Sequence, residues 1–82
     1  MQDLSRVNKY RGMMDILSEL LTAMQTLHKK TPIMYRCSLS WSQIHLYLTY
    51  MLEHGWISNK DGEYWLTVKG ETFRHAIYEA FN

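Results

Sequence analysis

Eighty-two residues, 46% of them apolar, can enclose one hydrophobic core and have too little chain for a second. Nine Lys and Arg against eight Asp and Glu leave a net charge of +1, which excludes a chain drawn to a polyanion by bulk charge alone. A single cysteine, Cys37, excludes an internal disulfide and a cysteine-built zinc site and fits a reducing cytosol, and no apolar run reaches the roughly 18 residues that span a bilayer.

The first predicted element is an amphipathic helix over about 8–28. Met13, Ile16, Leu17, Leu20, Leu21, Met24 and Leu27 recur at spacings of three and four, the stripe a helix turns toward a core. Asn8 or Ser5 is a suitable N-cap, and Lys29 and Lys30 suit the negative end of the helix dipole. Arg6, Lys9 and Arg11 before it read either as a basic arm or as a solvated helix start.

Thr31-Pro32 predicts a short second helix over about 32–37, with a hydroxyl cap and a proline at the first helical position. Ile33 and Met34 turn inward, and Cys37, Ser38 and Leu39 make a tight connection that leaves Cys37 as a small buried thiol. Ser40 then caps a third helix over about 41–54, and Gln43 completes a capping box with it. Gly55 is the expected left-handed residue that stops this helix. Its inward stripe reads Ile44, Leu48, Met51 and Leu52.

Asp61-Gly62 between two runs rich in aromatic and β-branched residues predicts a β-hairpin over about 56–67, because both turn residues need positive φ. Trp56, Trp65, Tyr64 and Tyr35 are read as core and hairpin packing. Thr67 caps a last helix over about 68–80, with Phe73, Ile77 and Ala80 or Phe81 on one face. Helix, helix, tight turn, helix, hairpin, helix is the order of a winged helix-turn-helix. The fold class is therefore α+β but mostly α: a three-helix core, a short hairpin wing and a C-terminal helix in one domain over 1–82.

Three segments sharpen this reading: Lys30-Thr31-x-Ile33-Met34-Tyr35-Arg36-x-x-Leu39-Ser40, then Tyr47-Leu48-x-x-Met51-Leu52-x-x-Gly55-Trp56-Ile57, then Tyr64-x-Leu66-Thr67-x-x-Gly70. From Tyr10 to Phe73 the chain resembles small archaeal winged-helix proteins of the transcription-regulator and chromatin-associated type. The resemblance implies double-stranded DNA as partner, with the third helix in the major groove and the hairpin beside it, and dimers that commonly form through a C-terminal helix.

The charge distribution agrees with that expectation. Residues 28–60 carry Lys29, Lys30, Arg36 and Lys60 against Glu53 alone, so the helix-turn-helix is the basic part of the chain. Candidate DNA contacts are Lys30, Arg36, Ser38, Trp41, Ser42, Gln43, His45, Leu46, Thr49 and Lys60. Ser42, Gln43, His45 and Thr49 offer hydrogen bonds to bases or phosphates, and Trp41 or Leu46 can touch a thymine methyl. Arg36 is placed for a phosphate or, alternatively, for an ion pair with Asp15 or Glu19. Lys60, flanked by Asp61 and Glu63, makes the wing a weak reader. Because Trp41, Leu46 and Tyr50 are apolar and net charge is near zero, a protein-interaction winged helix without nucleic acid is the alternative.

His28, His45, His54 and His75 show no metal-binding spacing, and Cys37 has no neighbouring base. Neither an enzyme nor a cofactor is expected, nor a membrane partner. Small size predicts a homodimer seamed by residues 1–28 and 68–82, in a cytoplasmic, nucleoid-associated setting.

Overall fold

Leucine and isoleucine at three- and four-residue spacing give α1, Met13–Ala23, the helix the core is assembled on: Ile16, Leu17, Leu20, Leu21 and Ala23 are all buried. The computed structural model describes residues 11–81, and of Phe81 only the backbone. The expected caps Asn8 and Ser5, with Arg6 and Lys9, lie outside the described residues. The helix itself starts later than expected, at Gly12, whose extended backbone turns its N–H to the Asp15 carboxylate at 3.0 Å. It also ends earlier, at Ala23 instead of His28. Met24 to Thr26 form a turn, and the chain then leaves extended because it has a strand to meet. The Tyr64 N–H donates to the His28 carbonyl at 2.7 Å, and Lys29 bridges Glu63 in antiparallel fashion.

Extended Lys29 opens α2, Lys30–Arg36, two residues before the expected start. Thr31 is therefore not the cap. Pro32 still falls in the first turn, where a helix has no partner for an N–H, so its missing donor costs nothing. Ile33 and Met34 are buried as expected, whereas Tyr35, expected in the core, is 73% exposed. The helix closes on a Schellman motif in which the Leu39 N–H reaches the Met34 carbonyl at 3.1 Å and the Ser38 N–H reaches Tyr35 at 3.2 Å. Ser38 holds the left-handed position at φ 55°.

Two residues later α3, Trp41–Glu53, begins on the expected capping box. The Gln43 N–H donates to Ser40 Oγ, and the Ser40 N–H to Gln43 Oε1. Ile44, Leu48 and Met51 are buried; Leu52, expected beside them, faces solvent at the core's edge. A second Schellman motif ends α3, with Gly55 at φ 73° and the Trp56 N–H on the Met51 carbonyl.

Strands β1, Ile57–Lys60, and β2, Glu63–Leu66, pair antiparallel with Ile57 opposite Leu66 and Lys60 opposite Glu63. Asp61 and Gly62 both have positive φ, as the two-residue turn requires. Thr67 then caps α4, Val68–Phe81: its hydroxyl accepts from the Gly70 N–H at 3.0 Å and donates to the Gly55 carbonyl at 2.6 Å. Ile77 on α4 is buried and Phe73 half-buried, and α4 packs along α1; Ala80 is exposed.

Gly70 has a reason to be glycine that its helical backbone does not reveal. A Cβ there would sit 1.9 Å from the Trp56 carbonyl oxygen, so α4 approaches the base of the wing more closely than any side chain permits. Gly70→Ala should cost about 3 kcal/mol or more and lower Tm by at least roughly 12 °C in a domain this small. Ser38→Gly should act the other way, since a left-handed serine is strained: a gain of about 0.5–1 kcal/mol and roughly 2–8 °C. Thermal unfolding followed by circular dichroism reads both; a G70A melt within about 4 °C of wild type would refute the close approach.

Candidate nucleic-acid interface

The rotation of α3 decides which residues can be touched from outside. With Ile44, Leu48 and Met51 in the core, Trp41, His45 and Thr49 form an outward stripe at four-residue spacing, joined by Ser42 at its side. Trp41 is 58% exposed, and the Lys30 ammonium sits 4.3 Å from its ring centroid, a cation–π contact between the first turns of α2 and α3. The Thr49 hydroxyl donates to the His45 carbonyl at 2.9 Å, which leaves its methyl and lone pairs to the outside. Gln43 is exposed, but its amide oxygen is held by the capping box, so only its NH2 is free to donate. Ser42 shares its hydroxyl with Ser40.

The apolar residues of α3 divide between two flanks. Trp41 belongs to the stripe. Leu46, 71% exposed, lies with Met13, Tyr47 and Tyr50 around an open apolar hollow of about 380 Å3. Tyr50 is half-buried, its ring against His54 and Trp56, and so is not part of a continuous surface with Trp41.

Charge is arranged in an informative way. Lys29 and Lys30 stand at the N-terminus of α2, where the dipole is positive and cations are unfavourable, and not in the last turn of α1 as expected. Helix stability therefore does not account for them. Arg36 is exposed and makes no ion pair among the described residues; the expected partner Glu19 is taken by Arg11, which also reaches the Ser38 carbonyl at 3.5 Å. Arg11 is thus a strut between α1 and the turn, not part of a free arm. Ser38 and Lys60 are both exposed, and Lys60 stands opposite Glu63 on the wing. The structure thus brings Lys30, Trp41, Ser42, His45 and Thr49 together at one end and face of α3, with Arg36 and Ser38 at the end of α2 and Lys60 apart on the wing.

The wing holds what sequence reasoning missed. Trp65, expected in packing, is 43% exposed and stacks on His28 with ring centroids 3.6 Å apart. His28 Nδ1 lies 3.0 Å from the Tyr64 carbonyl. Nothing in the local pattern signals this, because the partners are far apart in the chain. Among the described residues no group of three or more His, Cys, Asp or Glu side chains is placed to hold a metal ion, and no helix is long and apolar enough to cross a membrane.

A family model described as winged helix-turn-helix matches residues 10–82. The chain is 40% identical over 67 residues to an uncharacterised protein of Methanocaldococcus jannaschii, a match that covers 80% of this chain and 32% of that one. The chain thus spans about a third of that relative's length. Among solved structures it is similar to Sso10a-2, a DNA-binding protein from Sulfolobus solfataricus, with a TM-score of 0.76 and 24% identity over 87% of this chain and 79% of that one.

Cys37 lies under the turn that joins α2 to α3. It is buried, and burial, with Glu19 adding to it, pushes its thiol up to about 11 against the opposing pull of Arg11 and Arg36. A thiol held protonated in the folded state contributes stability that is complete below the unfolded value of 9.0 and is lost as pH rises toward about 11. Denaturant unfolding between those values should therefore show stability falling less steeply in Cys37→Ala than in wild type; equal slopes would mean that the thiol is reached by water.

Proposed function

The chain belongs to the winged helix-turn-helix family, and from that premise we propose that it binds double-stranded DNA with α3 in the major groove. One observation carries the reading: the capped start of α3 turns the Trp41–His45–Thr49 stripe outward, beside Lys29 and Lys30 at the N-terminus of α2, a position that helix stability does not explain. In this arrangement Lys30, Arg36 and the Ser38 hydroxyl meet phosphates and set the register. Ser42, the Gln43 amide and His45 hydrogen-bond to base edges, and Trp41 and the Thr49 methyl pack on thymine methyls. Lys60 reaches the backbone from the wing. Similarity to a protein described as DNA-binding supports the same reading.

On this proposal the protein is a transcription regulator or nucleoid-type protein of the cytoplasm, with no catalytic step and no cofactor. A homodimer through the N- and C-terminal helices would set two copies of α3 roughly 34 Å apart on one face of the duplex. The exposed Val68 and Tyr78 on α4 suit such a seam. A protein-contact reading is favoured by one observation, the hollow around Leu46, and it concerns the flank of α3 away from the stripe.

Three candidate cations per protomer, Lys30, Arg36 and Lys60, give an expected salt slope, log Kobs against log[salt], of roughly −3 for each chain. Fluorescence anisotropy on a mixed-sequence duplex measures it, and absence of binding at low salt, or a flat slope, would overturn the proposal. Arg36→Ala should weaken binding to every sequence alike and reduce the slope by about one. Trp41→Ser should lose duplex affinity and keep the oligomeric state, whereas Leu46→Ser should alter only a protein contact; the reverse pattern would favour the protein-binding reading.

A further inference from the structure

A second feature, which shares Lys30 and Trp41 with the proposed duplex face, runs from the wing to the start of α3. Trp65 on β2 rests on His28; Lys29 follows in extended conformation; Lys30 comes next and its ammonium covers Trp41. Two exposed indoles thus bracket His28, Lys29 and Lys30, and the residues they rest on, His28 and Lys30, are two extended residues apart, roughly 7 Å. From these contacts we propose that the chain carries a site for unpaired nucleic acid, in which bases stack on Trp65 and Trp41 while the strand's phosphates follow Lys29 and Lys30.

Three observations converge on that occupant. Aromatic platforms interleaved with cations are what an unpaired strand needs, since every base has a π-face and every link a negative charge. Neither indole is spent on the core: Trp65 is half open, and its ring borders a concavity of about 620 Å3 shared with Ser58, Lys60, Asp61 and Glu63. Asp61 and Glu63 outnumber Lys60 in that concavity, so it suits an uncharged base better than a phosphate, and the backbone is kept to the side of Lys29 and Lys30. His28 is fixed from two directions, by Nδ1 at the Tyr64 carbonyl and by its own carbonyl on the Tyr64 N–H, so the platform under Trp65 is rigid before any ligand arrives. In the double-stranded form the bases are stacked on one another and present no face to either indole, so this site selects frayed, bulged or melted segments.

Trp65 separates this inference from duplex binding, in which it has no assigned part. The experiment titrates wild type, Trp65→Ala and Trp65→Phe with an oligothymidylate of about 12 nucleotides and with an oligouridylate of equal length, following anisotropy and indole fluorescence. A mixed-sequence duplex is titrated in parallel. Wild type should bind the single strands with quenching of indole emission, and an abasic oligomer of equal charge should bind more weakly. Trp65→Ala should lose roughly 5- to 150-fold in single-strand affinity and keep duplex affinity, while Trp65→Phe, which retains a ring, should recover most of the loss. Because thymine and uracil also differ by a methyl group, an oligodeoxyuridylate of equal length is titrated beside them, and its affinity relative to the oligouridylate identifies the sugar the site prefers. Unchanged single-strand affinity in Trp65→Ala, an equal loss on the duplex, or abasic binding as tight as wild type on bases would each overturn the proposal.

Discussion

Trp56 is where three parts of the molecule are made to agree. Its N–H closes α3 on the Met51 carbonyl, and its carbonyl accepts from Thr67 as the chain returns from the wing. The same carbonyl oxygen presses against the bare Cα of Gly70. Its ring lies flat between Phe73 of α4, 4.0 Å away, and His54 at the end of α3, 4.5 Å away. Backbone groups buried in such a place must find partners or cost several kcal/mol, and here they are satisfied by elements distant in the chain. The direction of α3, the root of the hairpin and the approach of α4 are therefore not independent. Moving any one of them disturbs hydrogen bonds or close contacts that the others make with Trp56.

With its far end held in this way, α3 needs only one further constraint to fix which side faces out. The buried Ile44–Leu48–Met51 stripe supplies it. Each of these side chains contributes about 1.5–3 kcal/mol by leaving water, so a rotation of even a quarter turn would be prohibitive in a domain with marginal stability. The outward stripe is the consequence. Its hydroxyls are partly spent on the helix itself, through the Ser40–Gln43 capping box and the Thr49 back-bond, and these bonds hold the side chains in set directions. A surface so arranged is stiff and lightly functionalised, a form suited to shape and methyl recognition more than to charge.

What could be read from the sequence is what local chemistry decides. Ser40 with Gln43, Asp61-Gly62, Gly55 and Thr67 each carry their signal within four residues, and each lies in the structure where the pattern predicts. The expectations that failed depend on contacts between remote segments. Leu27 and His28 continue the helical pattern of α1, but pairing with β2 is worth more than another turn of helix, and the chain straightens. Arg36 and Glu19 have complementary charges, yet Arg11 reaches Glu19 first. Tyr35 and Trp65 look like core residues by type, and no local feature shows that they face outward while their neighbours Met34 and Tyr64 take the inward places. The candidate site was therefore legible on α3, where rotation follows from a single stripe, and illegible on the wing, where Trp65 meets His28 across the fold.

The placement of charge bears on what kind of DNA binder this would be. A strongly basic recognition helix binds any duplex tightly and must then discriminate against a large non-specific background. Here α3 carries no Lys or Arg, and its last residue, Glu53, is acidic. The cations stand at the N-terminus of α2, at its end and on the wing, and none is on the stripe itself. Phosphates would then be met at the margins while bases face uncharged groups, so long-range attraction is weak and contact quality at the stripe decides residence. Weak attraction per protomer also makes pairing of two copies consequential, because joining two modest sites raises the effective local concentration of the second far above that in solution. A near-neutral chain with a rigid reading face that carries no Lys or Arg is in this sense suited to binding a duplex as more than one copy.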